Sequence, residues 1–263
     1  MAAGNAVQNL NAPGLRVREI SMETPWTWLS KAWIELWEYP RVTLAYGAGF
    51  AVLSFALVAL LVWFRTLPLV LPLTGGFLLL GPMLAVGLYE TARRAGRGER
   101  IGLREALFVK TASPSQLAFV GVVLLLAYFA WVRLAWLIFA FWNGINAAMP
   151  PFDVFFANLF FTREGIGLLI TGSLAGGAIA FFIFAMSAVS VPLLMSREID
   201  AVTAVLLSLE AVKRNFWPMM LWAWLILLLV AFGIATAFIG LIVTFPLVGL
   251  ATWHAKESLI AED

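Results

Sequence analysis

Long apolar runs, nearly free of charge, alternate with short polar stretches along this chain. The first run covers 42–64. A second reaches from 69 to 89, after Arg65, Thr66 and the turn-forming Pro68. The third covers 116–142 and is broken only by Arg133, and the fourth covers 165–195. From 217 to 253 lie 37 residues without an ionisable group. One helix of that length, rising 1.5 Å per residue, would be about 55 Å long against a bilayer core of about 30 Å. The run therefore reads as two spans, 217–235 and 238–255, which turn around 233–240. A helical crossing needs about 20 apolar residues. The pattern predicts six transmembrane helices.

Between the spans lie stretches with the periodicity of helices that rest flat on a membrane. In 24–39, Thr24 is the expected N-cap and Pro25 the first helical residue. Trp26, Leu29, Trp33, Leu36 and Trp37 recur on one face, opposite Ser30, Lys31, Glu35 and Glu38. In 199–215 the stripe is Ile199, Val202, Val205, Leu206, Leu209 and Val212. A shorter third example is 101–110. The order flat helix, span, Gly/Pro-containing span and polar exit occurs twice, at 24–94 and 199–257, as a loose parallel repeat. Its exits are Gly87-Leu88-Tyr89-Glu90-Thr91 and Gly249-Leu250-Ala251-Thr252-Trp253. The fold class is thus an all-α membrane protein, with a bundle over 23–258, a flexible cytoplasmic segment over 1–22 and a short tail over 259–263.

Charge sets the orientation. With six crossings, one side holds Arg16, Arg18, Lys31, Arg41, Arg93, Arg94, Arg97, Arg100, Arg104, Lys110, Arg197, Lys213, Arg214 and Lys256. The other side holds Arg65 and Arg163. Cytoplasmic loops carry the excess, so both termini are expected in the cytoplasm and the protein in the inner membrane. Residues 1–22 have no apolar core of their own and do not read as a signal peptide.

Composition agrees with lipid as the solvent: 62% of the 263 residues are hydrophobic and 12% charged, against about 25% charged in ordinary globular proteins. A net charge of +2 gives no basis for nucleic-acid binding. The absence of cysteine removes disulfides, iron–sulfur clusters and thiol chemistry. His254 is the only histidine, too few for a copper–haem centre, and it reads as a headgroup or loop contact. No cofactor or metal site is expected. No aspartate or glutamate falls within a span, whereas proton- and sodium-coupled carriers generally need one there.

A few positions stand out against this background. Arg133 is an intramembrane charge, flanked by Trp131, Trp136 and Trp142 as in an outer aromatic belt, and within snorkelling reach of headgroups. Gly172, Gly176 and Ala180, with Ala175 and Gly177 beside them, recur at the spacing of close helix packing, as do Ala45 and Gly49. Gly75-Gly76, Gly81-Pro82 and Pro246 predict kinks. In the loop 143–164, Phe152, Phe155, Phe156, Leu159 and Phe160 follow a helical spacing after Pro150-Pro151. A stripe of that size needs lipid, the bundle or a partner against it, since each such side chain left in water forgoes about 1.5–3 kcal/mol.

The chain resembles the bacterial integral-membrane family catalogued as domain of unknown function 2189. Phe77-Leu78-Leu79-Leu80-Gly81-Pro82 leading to Gly87-Leu88-Tyr89-Glu90 carries the resemblance, with Val191-Pro192-Leu193-Leu194 and Asp200-Ala201-Val202-Thr203-Ala204. Ser208, Asn215 and the closing Ala251-Thr252-Trp253-His254-Ala255 extend it to 25–258. Lys256 departs from the aromatic expected after Trp-His-Ala. The family has no established activity, so it supplies no functional residues. Some relatives are loosely labelled cytochrome c oxidase components; with one histidine and half the spans, this chain does not fit the haem–copper catalytic subunit. The resemblance implies association with an oxidase instead. No nucleophile–base pair or phosphate-cradling loop can be assembled, so an enzyme is not expected. The expected partners are the lipid bilayer and other membrane subunits. The alternative is a carrier or channel for a neutral or lipidic small molecule.

Overall fold

A computed structural model describes residues 14–145 and 150–262. Part of the 143–164 loop, most of the 1–22 segment and the last residue therefore lie outside the described residues. The described chain is helical apart from one two-stranded ladder. In order it contains β1 (Leu15–Val17), α1 (Thr24–Glu38), α2 (Pro40–Trp63), α3 (Val70–Leu84) and α4 (Val86–Ala95). There follow α5 (Leu103–Leu107), α6 (Pro114–Asn143), α7 (Phe152–Phe161), α8 (Arg163–Ser187) and α9 (Ser190–Ser196). The last elements are α10 (Ala201–Arg214), α11 (Phe216–Ala235), α12 (Leu241–Leu259) and β2 (Ile260–Glu262).

Four helical segments are long and apolar enough to cross a membrane: α2, α6, the stretch Arg163–Ser196 and α11. A fifth is the pair Leu67–Gly76 and Leu78–Leu84, bent by 54°, where Gly75-Gly76 precedes Pro82 and the kink was expected. The sixth expected span falls on α12. That helix ends in Thr252, His254, Lys256, Glu257 and Ser258, and its composition falls short of the other spans. The expected continuous span 165–195 is interrupted between α8 and α9. Ser208 of α10 covers the break: its hydroxyl accepts from the Val189 amide at 3.1 Å and donates to the Ala185 carbonyl at 2.7 Å. Buried backbone groups released by a break need such partners.

The chain divides into two compact units. The first comprises Met1–Val52, Pro82–Gly121 and Phe184–Asp263. Helix α12 is its centre, touching α1, α4, α9 and α11. The corresponding exits of the repeat meet here, for Gly249 of α12 lies against the buried Leu88 of α4. Helix α1 buries Pro25, Trp28, Ala32 and Leu36 and leaves Trp26, Trp33 and Trp37 exposed. Of the apolar stripe, only Leu36 is fully buried and Leu29 is half-buried. Helix α10 likewise buries Ala201, Ala204, Leu207, Ser208, Ala211 and Val212 and exposes Val202. Small residues permit the close approach, so the buried face is narrower and less bulky than the apolar stripe. Asp200, the N-cap of α10, accepts from the Thr203 amide at 2.9 Å.

Residues 15–17 and 260–262 form an antiparallel ladder, pairing Leu15 with Glu262 and Val17 with Ile260. The sequence reading placed both segments outside the bundle, because three residues are too few to show a strand period. Asn215 fixes this end further. Its Oδ1 accepts from the Ile20 amide at 2.8 Å, and its Nδ2 donates to the Arg18 carbonyl at 2.9 Å.

The close approach of α2 to α12 depends on Gly47 rather than on the expected Ala45 and Gly49. A Cβ at Gly47 would fall onto the backbone carbonyl of Ile242, whereas one at Gly49 would meet nothing within 4 Å. Replacing Gly47 by leucine is expected to destabilise the protein by about 1–3 kcal/mol. Thermal unfolding in detergent measures this, with Gly49→Leu as the near-neutral comparison.

The second unit comprises Leu53–Gly81 and Val122–Ile183. Two tryptophans of α6 rest on glycines. Trp131 lies against Gly75 and Gly176, and its Nε1 donates to the Pro72 carbonyl at 2.8 Å. Trp142 lies against Gly167, and its Nε1 donates to Thr171 Oγ1 at 3.0 Å. Helix α7 contacts the 3-10 turn Leu67–Leu69 and buries Phe155 and Leu159.

Candidate functional site

The side chains with chemical capacity concentrate in the first unit, on α1, α4 and α12. Helix α4 presents Tyr89 and Glu90, both buried. The Glu90 carboxylate is held at both oxygens: Arg93 donates from Nε and Nη2, each at 2.7 Å, and Arg94 donates from Nε at 2.7 Å. These partners sit three and four residues on, where helical geometry brings side chains together. Burial pushes the Glu90 carboxyl up, but the hydrogen bonds and charges of the two guanidiniums outweigh it and hold the group below the usual carboxylate range.

On the facing helices, Glu35 of α1 meets His254 of α12, with Oε1 and Nε2 3.0 Å apart. Trp28 donates through Nε1 to Ser258 Oγ at 2.9 Å, and Ser258 donates to the His254 carbonyl at 2.9 Å. Trp28 also meets Trp222 of α11 edge-on, with ring centroids 5.6 Å apart. Lys256, itself buried, binds Glu257 Oε1 at 2.6 Å and lies 4.4 Å from the centre of the Trp253 ring. His254 thus pairs with Glu35 across α12 and α1. Nothing in one sequence pairs it with Glu35, because 219 residues separate them.

Every one of these contacts joins one segment of the unit to another or holds a helix end. The arrangement offers an acid–imidazole pair, Glu35–His254, with the Ser258 hydroxyl held on the His254 carbonyl. Among the described residues, no group of three histidine, aspartate or glutamate side chains could hold a metal ion. The positions singled out from sequence are spread across the second unit. Gly176 seats Trp131, while a Cβ at Gly172 would meet nothing within 4 Å, and Ala180 is half-buried. Arg133 is exposed on α6 without a hydrogen-bond or ion-pair partner among the described residues. Of the phenylalanines, Phe155 is buried and Phe152 half-buried, while Phe156 and Phe160 are 47% and 45% exposed. Phe152, Phe156 and Phe160 form a ladder, with successive ring centroids 5.8 and 5.1 Å apart.

Helices of this length and apolarity, joined by polar segments, define a multi-span helical membrane protein. Residues 69–196, just under half of the chain, match the family described as predicted integral membrane protein, DUF2189, the family that the sequence motifs resemble. The matched stretch includes Gly81-Pro82, Gly87-Leu88-Tyr89-Glu90 and Val191-Pro192-Leu193-Leu194; the motifs from Asp200 onward lie beyond it. No curated protein and no solved structure matches the chain.

Proposed function

We propose that this chain is a non-catalytic accessory, assembly or scaffold subunit of a larger inner-membrane complex, for which a respiratory oxidase is the first candidate. The Phe152–Phe156–Phe160 ladder on α7, exposed at Phe156 and Phe160, carries this reading. Its neighbours Phe155 and Leu159 are the buried residues of the helix, and Phe156 and Phe160 remain exposed beside them. Contiguous aromatic surface of this kind suits protein contact. The reading includes six crossings, with α12 as the sixth, and both termini in the cytoplasm, supported by the fourteen-to-two division of lysine and arginine.

Replacing Phe152, Phe156 and Phe160 together by serine is expected to abolish a larger assembly on a native gel while membrane insertion stays normal. Unchanged migration would overturn the subunit reading. A second reading, a carrier or channel for a neutral or lipidic molecule, is favoured by the 54° break within 67–84, because broken spans line transport sites. A carrier would purify alone and gain thermal stability from its substrate.

A further inference from the structure

We propose that the segment from Arg97 to Lys110 is a binding surface for the headgroups of anionic phospholipids. The segment is anchored from beneath. Ile101 and Ala106 are buried in a cluster with Val42, against which Tyr39 packs. Glu105 Oε2 accepts from the Gly102 amide at 2.8 Å and lies 3.6 Å from Arg94 Nη1. Held this way, α5 leaves its other apolar residues bare: Leu103 is 40%, Leu107 57% and Phe108 77% exposed. Leu103 and Leu107 are four residues apart and share one face of the helix. Arg97, Arg100, Arg104 and Lys110 are interleaved with them, exposed and without an ion-pair partner among the described residues. Two carboxylates oppose these four cations, Glu99 and the Glu105 already engaged by Arg94.

Cations beside bare apolar side chains match the level of a bilayer where phosphates lie above the acyl boundary. Chain continuity favours lipid over an acidic protein segment. Helix α6, 30 apolar-rich residues long, starts at Pro114, six residues beyond Phe108. Six residues reach at most about 20 Å. The link is also tied down, since the Ala112 and Ser113 amides donate to the carbonyls of Met195 and Leu194. An acidic protein segment could pair with the cations but would need a groove of its own for Phe108, whereas the acyl boundary receives it without shape.

This inference needs only the membrane placement of the flanking helices and does not depend on the subunit reading. The test is native mass spectrometry of the full chain in detergent, titrated with phosphatidylglycerol or phosphatidylcholine. The unaltered chain is expected to prefer phosphatidylglycerol. The variant Arg97→Gln/Arg100→Gln/Arg104→Gln/Lys110→Gln is expected to lose that preference, by about five-fold for each cation that reaches a headgroup. Lys31→Gln, on the exposed face of α1, serves as the comparison and keeps the preference. Equal binding of the two lipids, or an undiminished preference in the fourfold variant, would overturn the proposal. So would binding of a polyglutamate peptide without phosphatidylglycerol, which would assign the surface to an acidic protein. Should the fourfold variant fail to fold, the pairs Arg97→Gln/Arg100→Gln and Arg104→Gln/Lys110→Gln give the same comparison.

Discussion

Replacing Trp28 by alanine is expected to destabilise the first unit by about 3–5 kcal/mol, the range for deleting a large aromatic side chain from a packed core. Trp28 has no exposed surface and stands where α1, α11 and α12 come together. Its loss removes the edge-on contact with Trp222, the hydrogen bond to Ser258 and the volume between three helices. The exposed tryptophans of the same helix are the internal comparison: Trp26→Ala and Trp33→Ala should each change stability by less than about 0.5 kcal/mol in detergent. Trp222→Phe should cost far less than Trp28→Ala, because Trp222 Nε1 has no hydrogen-bond partner among the described residues to lose. Unfolding midpoints for the four variants settle the order. Equal effects at Trp26 and Trp28 would contradict this packing.

The same helix shows what sequence pattern can and cannot carry. Its extent over 24–38 was legible, since it follows from local spacing, although Glu23 and not Thr24 takes the N-cap position. Which apolar face meets protein was not, because α1 is apolar on two faces and a wheel cannot distinguish lipid from core. The apolar spacing groups Trp26, Leu29, Trp33, Leu36 and Trp37; of these only Leu36 enters the core, beside Trp28 and Ala32, and the three tryptophans stay exposed. Helix packing by small residues was legible as a type but not as a place. Gly47, Gly167 and Gly176 receive a neighbour's backbone or tryptophan ring, and Gly49 and Gly172 receive nothing. The family motifs gave positions without roles, and several prove to be struts: Ser208 bridges the α8–α9 break, and Asn215 fastens residues 18–20. The Glu35–His254 pair had no sequence signal, because long-range pairing leaves no trace in a single chain.

Stranding the Glu90 carboxylate is the second large effect. The double variant Arg93→Ala/Arg94→Ala leaves a buried charge without its partners, which typically costs about 3–5 kcal/mol; each guanidinium is about a quarter exposed, which places the effect toward the lower end. Acid acts on the same contact. A carboxyl held below its usual range stabilises the fold when ionised, so the contribution is complete above its ordinary value of 4.5 and fades as the pH falls below it. Thermal unfolding followed from neutral pH to about pH 4 should therefore show an acid-labile component in the unaltered protein. Glu90→Gln should lack that component. A parallel acid dependence in both proteins would place the labile group elsewhere.

The arrangement of the chain across the membrane is tested most directly by cysteine accessibility, since the sequence has no cysteine of its own. Single cysteines at Thr66, Gly96 and Asn158 can be challenged with a membrane-impermeant maleimide in intact cells and after permeabilisation. Gly96 and Asn158 are exposed, and a Cβ at Gly96 would meet only ordinary contacts. Six crossings with cytoplasmic termini predict that Thr66→Cys and Asn158→Cys react from the periplasmic side, and that Gly96→Cys reacts only after permeabilisation. Gly96→Cys reacting from the periplasmic side alone would contradict that topology.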